Sequence, residues 1–317
     1  MAEHDVAATA GVAQGRAAAD QEETEEEAGV PVRLVAGGPG LGDSLAILAL
    51  VHSVRAARPH EAIEVVVAYP EVWIDNPYGV RVVPFVPYVH GTQRTFAALD
   101  GQGMRLVQGH IIQWMCEQVG VPPPAIRGIR PYLTLRQAEQ VRPDLPATYV
   151  TISADTAGWC QNRDWPFDRW AKLARRLREA GLVTVQLRAE GGAVLPCDAD
   201  YRGKSVRAVA NIMAHATMNV SSASGPMWLA ASVGAPATIV WPGTDGPVAL
   251  APPFHRVVNY LPPMHCAPCY KNTENCPYGT MVDFTLRKPC LDGVSVEDVA
   301  TAVLEGMDHG LRAAHAM

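Results

Sequence analysis

The sequence predicts an α/β protein with two Rossmann-like halves that face a cleft. Near residue 32 a buried strand, a glycine-rich turn, a helix and a second strand follow one another, and the same plan restarts near residue 149. A strand, a helix and a parallel return strand form the basic α/β unit. Six prolines between residues 122 and 146 break the pattern. We therefore expect an N-terminal domain at 30–146 and a C-terminal domain at 147–317, after a tail at 1–29.

The first half contains three apolar runs and two stretches with helical periodicity. The predicted strands are 32–36, 63–68 and 81–86. The predicted helices run from Asp43 to Pro59 and over 106–119. The turn at 37–42 has four glycines, but it matches neither Gly-x-Gly-x-x-Gly nor a Lys-Ser/Thr phosphate loop. A plain dinucleotide or ATP site is therefore weakly supported.

The second half contains five short runs that predict strands, at 149–153, 182–187, 218–221, 237–241 and 257–260. Helices are predicted over 167–181 and from Ser205, Pro226 and Ser295. Ser205 is a favoured N-cap residue, and the spacing of Ser295 and Asp298 is that of a capping box. Ligands of open α/β sheets bind beyond the carboxyl ends of the strands, where the turns at 37–42 and 221–225 both lie.

Composition narrows the class of protein. The chain has 317 residues, of which 48% are hydrophobic and 18% charged, and its net charge is −6. An acidic balance gives no general attraction to nucleic acid. No apolar run approaches the ~20 residues of a membrane span, and no signal-peptide pattern opens the chain. A cytoplasmic location is expected, with the Ala- and Glu-rich tail at 1–29 disordered.

A serine-rich turn lies between a predicted strand and a predicted helix. Ser222, Ser224 and Gly225 precede Pro226, which suits the first turn of a helix. Hydroxyls, backbone N–H groups and the positive end of the helix dipole would then converge on an anion, most naturally a phosphate. The alternative is an ordinary strand–turn–helix corner.

Four cysteines cluster near the C-terminus, and we call residues 266–290 the cysteine finger. Cys266, Cys269, Cys276 and Cys290 are separated by two, six and thirteen residues. Such clustering favours a metal over disulfides inside cells. Four thiolates suit zinc or iron, and they leave no open position, so the metal would be structural. His265 is a substitute ligand, and scattered free thiols are the alternative.

The remaining cysteines and one acidic motif carry no predicted role. Cys116, Cys160 and Cys197 are expected to be ordinary thiols. Asp198-Ala199-Asp200 has the form of a divalent-metal motif but is expected to be a solvated acidic loop.

Three motifs occur in order: Gly40-Leu41-Gly42-Asp43-Ser44-Leu45, Arg163-Asp164-Trp165-Pro166 and the run from Ser222 to Ala230. Together they resemble the heptosyltransferases of glycosyltransferase family nine, which implies the two-domain GT-B fold. Where the lipopolysaccharide enzymes usually have Asp and His, this chain has Ala223 and Trp228.

The C-terminal segment makes the resemblance more specific. Residues 256–260, the four cysteines and residues 295–299 are similar to the bacterial autotransporter heptosyltransferases, which carry an iron-binding cysteine finger. The resemblance implies an inverting transfer of heptose from ADP-heptose to a protein serine, and it favours iron. A transferase acting on a small metabolite or a glycan lipid, and a sugar-nucleotide binding protein without activity, remain alternatives. A homo-oligomer is left open.

The resemblance also assigns roles near the first glycine-rich turn. Asp43 would be the base that takes the proton from the acceptor hydroxyl; the alternative is that Asp43 is the N-cap of its helix. Gly40 and Gly42 would let acceptor or donor approach closely, and ordinary turn glycines are the alternative.

Further roles concern the donor. Arg163 would pair with the diphosphate together with Ser222, Ser224 and Gly225; a solvated loop charge is the alternative for Arg163. Glu190 would bind a ribose hydroxyl. Trp228 would line the donor pocket, or be a core aromatic residue of its helix.

Overall fold

The computed structural model describes residues 31–85, 95–97, 109–154, 156, 160–188, 190–259, 264–271, 276–282 and 285–315. The predicted tail at 1–29 lies outside the described residues, as do Val86 of the third predicted strand, residues 106–108 of the second predicted helix and Tyr260 of the last predicted strand. Within the described parts of the chain, no helix is long and apolar enough to cross a bilayer.

The first half forms a four-stranded parallel sheet with strand order β3-β2-β1-β4. Its strands are β1 (Val32–Val35), β2 (Ile63–Val67), β3 (Arg81–Pro84) and β4 (Thr95–Ala97). Its helices are α1 (Leu41–Ala57) and α2 (Ile111–Val119). Strand β4 was not predicted, because three residues are too short to show a pattern. Helix α1 begins two residues before the predicted start, with Gly40 as its N-cap.

The second half forms a six-stranded parallel sheet with order β10-β9-β8-β5-β6-β7. Its strands are β5 (Tyr149–Ser153), β6 (Val183–Gln186), β7 (Ala199–Asp200), β8 (Met218–Ser222), β9 (Ala237–Trp241) and β10 (Arg256–Asn259). Its helices are α3 (Phe167–Glu179), α4 (Val206–His215), α5 (Gly225–Ser232), α6 (Pro247–Leu250), α7 (Pro289–Asp292) and α8 (Val296–His315). The two parallel sheets confirm the predicted pair of Rossmann-like halves.

Burial on both faces explains why the central strands are apolar runs. All residues of β5, β8 and β9 are buried, as parallel strands covered by helices on both sides must be. Helix α3 buries Trp170, Leu173, Ala174 and Leu177 on one face. Its buried face packs against α8, which closes the outer layer of the second half.

Two predicted helix starts have the expected caps. The Ser205 hydroxyl accepts from the N–H of Ala208 at 3.3 Å. At α8 the Ser295 hydroxyl accepts from the N–H of Asp298 at 3.0 Å, and the Asp298 carboxylate accepts from the N–H of Ser295 at 3.2 Å. Both contacts satisfy backbone donors that a helix start leaves without an intrahelical partner.

Asp198 and Asp200 are exposed, as predicted for a solvated acidic segment, but the prediction of a loop is wrong. Ala199–Asp200 pairs with β6 as the edge strand β7. The Asp198 carboxylate accepts from the N–H of Thr184 at 2.9 Å and forms an ion pair with Arg178 at 2.8 Å. Asp200 pairs with Arg202 at 2.7 Å. A strand of two residues, one of them acidic, gave no apolar signal in the sequence.

A short antiparallel hairpin within the cysteine finger was also not predicted. Its strands are β11 (Thr280–Val282) and β12 (Thr285–Arg287). All three residues of β11 are exposed. An exposed strand does not need alternating apolar residues, so the sequence contains no pattern that predicts it.

Helix α1 joins the two halves through an apolar surface. Ten of its residues, from Ser44 to Val54, are buried, and it packs both on the first sheet and against α5 of the second half. A helix covered on all sides is apolar all round rather than amphipathic. The N-termini of α1 and α5 therefore lie at the same junction.

A buried arginine ties the connection between the halves to both of them. Arg207 on α4 forms two hydrogen bonds with the Glu139 carboxylate, at 2.7 and 2.5 Å. It also donates to the carbonyl of Thr134 at 2.7 Å and to the carbonyl of Glu71, in the first half, at 3.0 Å. Only 7% of the Arg207 side chain is exposed, so water cannot easily replace these hydrogen bonds if one partner is removed.

Arg207→Met is expected to lower the free energy of unfolding by about 3 kcal/mol, because it leaves the Glu139 carboxylate and two carbonyls without their partner. Urea unfolding followed by circular dichroism measures the change. The matched control is Arg176→Met, which removes an exposed ion pair with Glu297 and should cost less than about 1 kcal/mol. Equal, small effects of both changes would contradict the role of Arg207.

Candidate active site

The N-termini of α1 and α5 touch through two glycines. A β-carbon on Gly225 would lie 3.0 Å from the β-carbon of Leu41 and 3.3 Å from the backbone nitrogen of Gly42. A β-carbon on Gly42 would lie 3.6 Å from the α-carbon of Gly225. The contact is tight at Gly225, where a side chain would force Leu41 or the backbone of Gly42 to shift, whereas a β-carbon on Gly42 would lie at ordinary van der Waals distance. The junction thus brings two partly positive helix ends together.

Asp43 lies at this junction, in the first turn of α1. Burial raises the pKa of its carboxyl above the ordinary value, while N–H groups of Asp43 and Gly40 and the charge of Arg163 act in the opposite direction. A β-carbon on Gly40 would lie 2.5 Å from Asp43 Oδ2, so Gly40 makes room for this carboxylate. Gly40 is the N-cap and Asp43 is the third helical residue, but the Asp43 carboxylate accepts from the N–H of Gly40 and so still helps to cap the helix start.

Arg163 approaches the junction from the second half. It ends a 3-10 turn (Gln161–Arg163) that precedes α3. Its guanidinium forms an ion pair with Asp245 at 2.5 Å and donates to the carbonyl of Ala223 at 3.3 Å. The side chain is 12% exposed, which excludes the alternative of a solvated loop charge. The guanidinium is therefore fixed next to the serine turn, residues 222–225.

The serine turn joins β8 to α5. Ser222 is fully buried, and its hydroxyl lies 3.2 Å from that of Ser224. Ser224 is the N-cap of α5 but makes no side-chain capping bond, so its hydroxyl is directed to Ser222 instead. Two hydroxyls lie in this turn, the Arg163 guanidinium contacts it at the carbonyl of Ala223, and α5 begins at Gly225. This combination is suited to an anion.

Asp245 is a residue of this site that the sequence analysis missed. It follows β9 and is 3% exposed. Besides the ion pair with Arg163, its carboxylate accepts from the hydroxyl of Thr244 at 2.9 Å, and its carbonyl accepts from the indole N–H of Trp241 at 2.7 Å. The signal in the sequence was a polar Gly-Thr-Asp-Gly turn at the end of a buried strand.

Glu190 lies in an exposed turn after β6, beside Gly191 and Gly192, which both have positive φ. Arg202, held by Asp200, donates to the carbonyl of Gly192 at 2.7 Å and so fixes the turn. Among the described contacts, none joins the Glu190 side chain to Arg163 or to the serine turn. Glu190 shares the carboxyl edge of the sheet with them, at a neighbouring strand.

Trp228 packs inside the junction and is 5% exposed. It lies edge-on to His110, with ring centroids 5.9 Å apart, and its Cδ1 would be 3.5 Å from a β-carbon on Gly42. Burial lowers the pKa of His110 to about 4, so this imidazole is neutral at pH 7. Trp228 is therefore placed as a core aromatic residue of its helix, which was the alternative interpretation of the sequence.

The four cysteines of the finger line a single cavity of about 250 Å³. In the described part of the chain, no three His, Cys, Asp or Glu residues are arranged so that they could hold a metal ion. His265 packs edge-on against Tyr278, 4.9 Å between centroids, and does not line the cavity. Cys116 and Cys160 are buried thiols and Cys197 is half-buried.

The fold is similar to that of several solved glycosyltransferases. The E. coli ADP-heptose lipopolysaccharide heptosyltransferase II is 13% identical, with a TM-score of 0.62 over 87% of this chain and 98% of that one. The iron-containing dodecameric glycosyltransferase TibC of enterotoxigenic E. coli is 16% identical, with a TM-score of 0.62 over 89% and 77%. TibC has also been solved with ADP-D-β-D-heptose.

A glycosyl transferase of family 9 from Veillonella parvula is 16% identical, with a TM-score of 0.63 over 88% of this chain and 98% of that one. No protein-family model matches the sequence, and a sequence search of curated proteins finds no match. At these identities the likeness establishes the fold, and the expectation of a GT-B fold is confirmed.

Asp43→Asn is expected to make the protein more stable at pH 7. Burial raises the pKa of Asp43, so the folded protein binds this proton more tightly than the unfolded chain does. The ionised carboxylate therefore lowers stability above its folded pKa and costs nothing below the unfolded pKa. The gain in the free energy of unfolding should shrink as the pH falls towards about 4. Urea titrations at several pH values measure it.

The control for this prediction is Asp198→Asn, where the sign is opposite. Burial alone would raise the pKa of Asp198, but the hydrogen bonds from Thr184 and the charge of Arg178 bring it below the ordinary value. Its ionised form stabilises the fold at neutral pH, and that stability is lost as the pH falls through the folded pKa. Equal losses of stability in both variants at pH 7 would refute the buried charge of Asp43.

Proposed function

We propose that the chain is an inverting glycosyltransferase of family nine that transfers heptose from ADP-heptose to a hydroxyl acceptor. The observation that carries this proposal is the meeting of a buried carboxylate, Asp43, with the N-terminus of α5 at one junction. Residues 30–146 would contribute the acceptor side and residues 147–317 the nucleotide-sugar side. The fold shared with heptosyltransferase II and with TibC supports it.

The serine turn and Arg163 would bind the donor diphosphate. Charge builds on the leaving diphosphate as the bond to the sugar breaks, and fixed donors stabilise that charge without reorganising. Ser224 and Gly225 open α5, and Arg163 is already oriented by Asp245. Glu190 would bind a ribose hydroxyl at the neighbouring strand end.

Asp43 would be the general base. It removes the proton from the acceptor hydroxyl while the hydroxyl oxygen attacks the anomeric carbon from the face opposite the diphosphate. The new carbon–oxygen bond forms, the bond to the diphosphate oxygen breaks, and the configuration inverts. A pKa raised by burial makes the carboxylate a stronger base near neutral pH. Gly40 makes room for this carboxylate, whereas Gly42 packs against Gly225 and Trp228 rather than facing open space.

The cysteine finger would hold a structural metal. Four thiol groups line one cavity, and the sulfurs of Cys269 and Cys290 accept hydrogen bonds from the N–H groups of Lys271 and Gly243. Backbone N–H groups directed at sulfur are the usual support of metal-bound thiolates. By donor chemistry Cys266, Cys269, Cys276 and Cys290 suit iron or zinc, although the described side chains are not arranged as a metal site. TibC, described as iron-containing, supports iron. The metal would cross-link the finger and take no part in the transfer.

In the direct experiment, the purified chain is incubated with a sugar donor and with cell extract as the source of acceptor, and products are identified by mass spectrometry. The donors are ADP-, GDP-, UDP- and dTDP-sugars. Transfer of heptose from ADP-heptose to a protein supports the whole proposal. Transfer to a small molecule or a glycan lipid replaces the acceptor. Absence of transfer or hydrolysis with every donor would remove the proposed activity.

Asp43→Ala is expected to reduce the rate of transfer by about a thousandfold, because the acceptor hydroxyl loses its base. Donor affinity, measured by isothermal titration calorimetry, should stay nearly unchanged. Asp75→Ala is the matched control: this carboxylate is exposed and pairs with Arg136, so transfer should continue at the normal rate. Normal turnover by Asp43→Ala would take Asp43 out of the mechanism.

The purified protein is expected to contain about one iron or zinc ion per chain, bound by thiolates. Elemental analysis measures the content. Cys276→Ser should lose the metal because it removes one of four ligands, whereas Cys197→Ser, outside the cavity, should retain it. Wild-type protein without stoichiometric metal would exclude the proposed site.

A further inference from the structure

The cysteine finger packs on the loop that carries Asp245. The N–H of Cys269 donates to the carbonyl of Gly243 at 2.9 Å, and the N–H of Tyr270 donates to the carbonyl of Thr244 at 2.7 Å. Asp245 is the next residue of that loop. Two consecutive hydrogen bonds therefore fix the backbone immediately before the carboxylate that orients Arg163.

The fit between finger and loop is tight. A β-carbon on Gly243 would lie 3.1 Å from the β-carbon of Cys290 and 3.2 Å from that of Ala267. Such distances are shorter than ordinary van der Waals contact, so a side chain at Gly243 would force the finger or the loop to shift. A shift of the finger would displace the loop with it.

The same finger also holds the loop that carries Arg163. The Asn162 side-chain amide donates to the carbonyl of Lys271 at 2.6 Å. The Lys288 amine donates to the carbonyl of Asp164 at 3.2 Å and to the carbonyl of Gln161. Asn162 and Lys288 are 5% and 4% exposed. Contacts from the finger thus flank Arg163 on both sides in the chain.

We propose that the cysteine finger is a brace for the diphosphate site, and that Lys288 and Asn162 are positioning residues for Arg163. The inference rests on the proposed function. An arginine binds phosphate well when its planar guanidinium is oriented beforehand. Here the ion pair that orients it joins two loops, and the finger is bonded to both. A loosened finger lowers affinity for the diphosphate without touching the adenosine end of the donor.

The test compares binding of ADP and of adenosine, which lacks the phosphates, by isothermal titration calorimetry on the full chain with its metal. Lys288→Met keeps the length of the side chain but removes its donor. We expect it to weaken ADP binding about tenfold and to leave adenosine affinity unchanged. Asn162→Ala is the second variant and should act in the same direction, which keeps the test decisive if Lys288→Met fails to fold.

The matched control is Lys172→Met on α3, an exposed lysine that pairs with Asp168 and should change neither affinity. Elemental analysis establishes that Lys288→Met keeps its metal. Equal weakening of ADP and adenosine, or unchanged ADP binding in both finger variants, would overturn the brace while leaving the proposed function intact. Wild-type protein that binds adenosine no more weakly than ADP would overturn the diphosphate site itself and the brace with it.

Discussion

The contact between two helix N-termini at Gly42 and Gly225 is the constraint on which the rest of the structure depends. The approach is tightest at Gly225, where a β-carbon would lie 3.0 Å from that of Leu41 and would force a shift. The contact brings Asp43, from the first half, within the electrostatic influence of Arg163, from the second. It also joins two partly positive helix ends. A base and an anion site can share one junction because the two helices begin at the same place.

The fold was predictable where burial on both faces gives an apolar run. Tyr149–Ser153 forms a strand with the predicted bounds, and the two helices capped by Ser205 and Ser295 begin where the sequence places them. Short elements without such a pattern escaped. Strand β4 has three residues, β7 has two of which one is acidic, and β11 is exposed throughout. Their formation depends on the neighbouring strand rather than on their own sequence.

The site was predictable only in part, because its residues are joined by contacts that are distant in sequence. The motifs predicted that Arg163 and the serine turn belong to one site, and the structure places them in contact. The role of Asp245 was not predicted, because its partner Arg163 is 82 positions away in the sequence. The residues around Asp245 have the composition of an ordinary turn. The sequence also did not predict which side of α5 Trp228 faces, because the helix is apolar all round and has no exposed face.

The central claim is that the end of α5 and Arg163 form a diphosphate site facing Asp43. A crystal structure of the chain with ADP tests this most directly. The account predicts diphosphate oxygens within hydrogen-bonding distance of the Arg163 guanidinium and of the N–H groups that open α5, with Asp43 across the junction. ADP bound elsewhere, or a diphosphate that contacts neither Arg163 nor the serine turn, would contradict it.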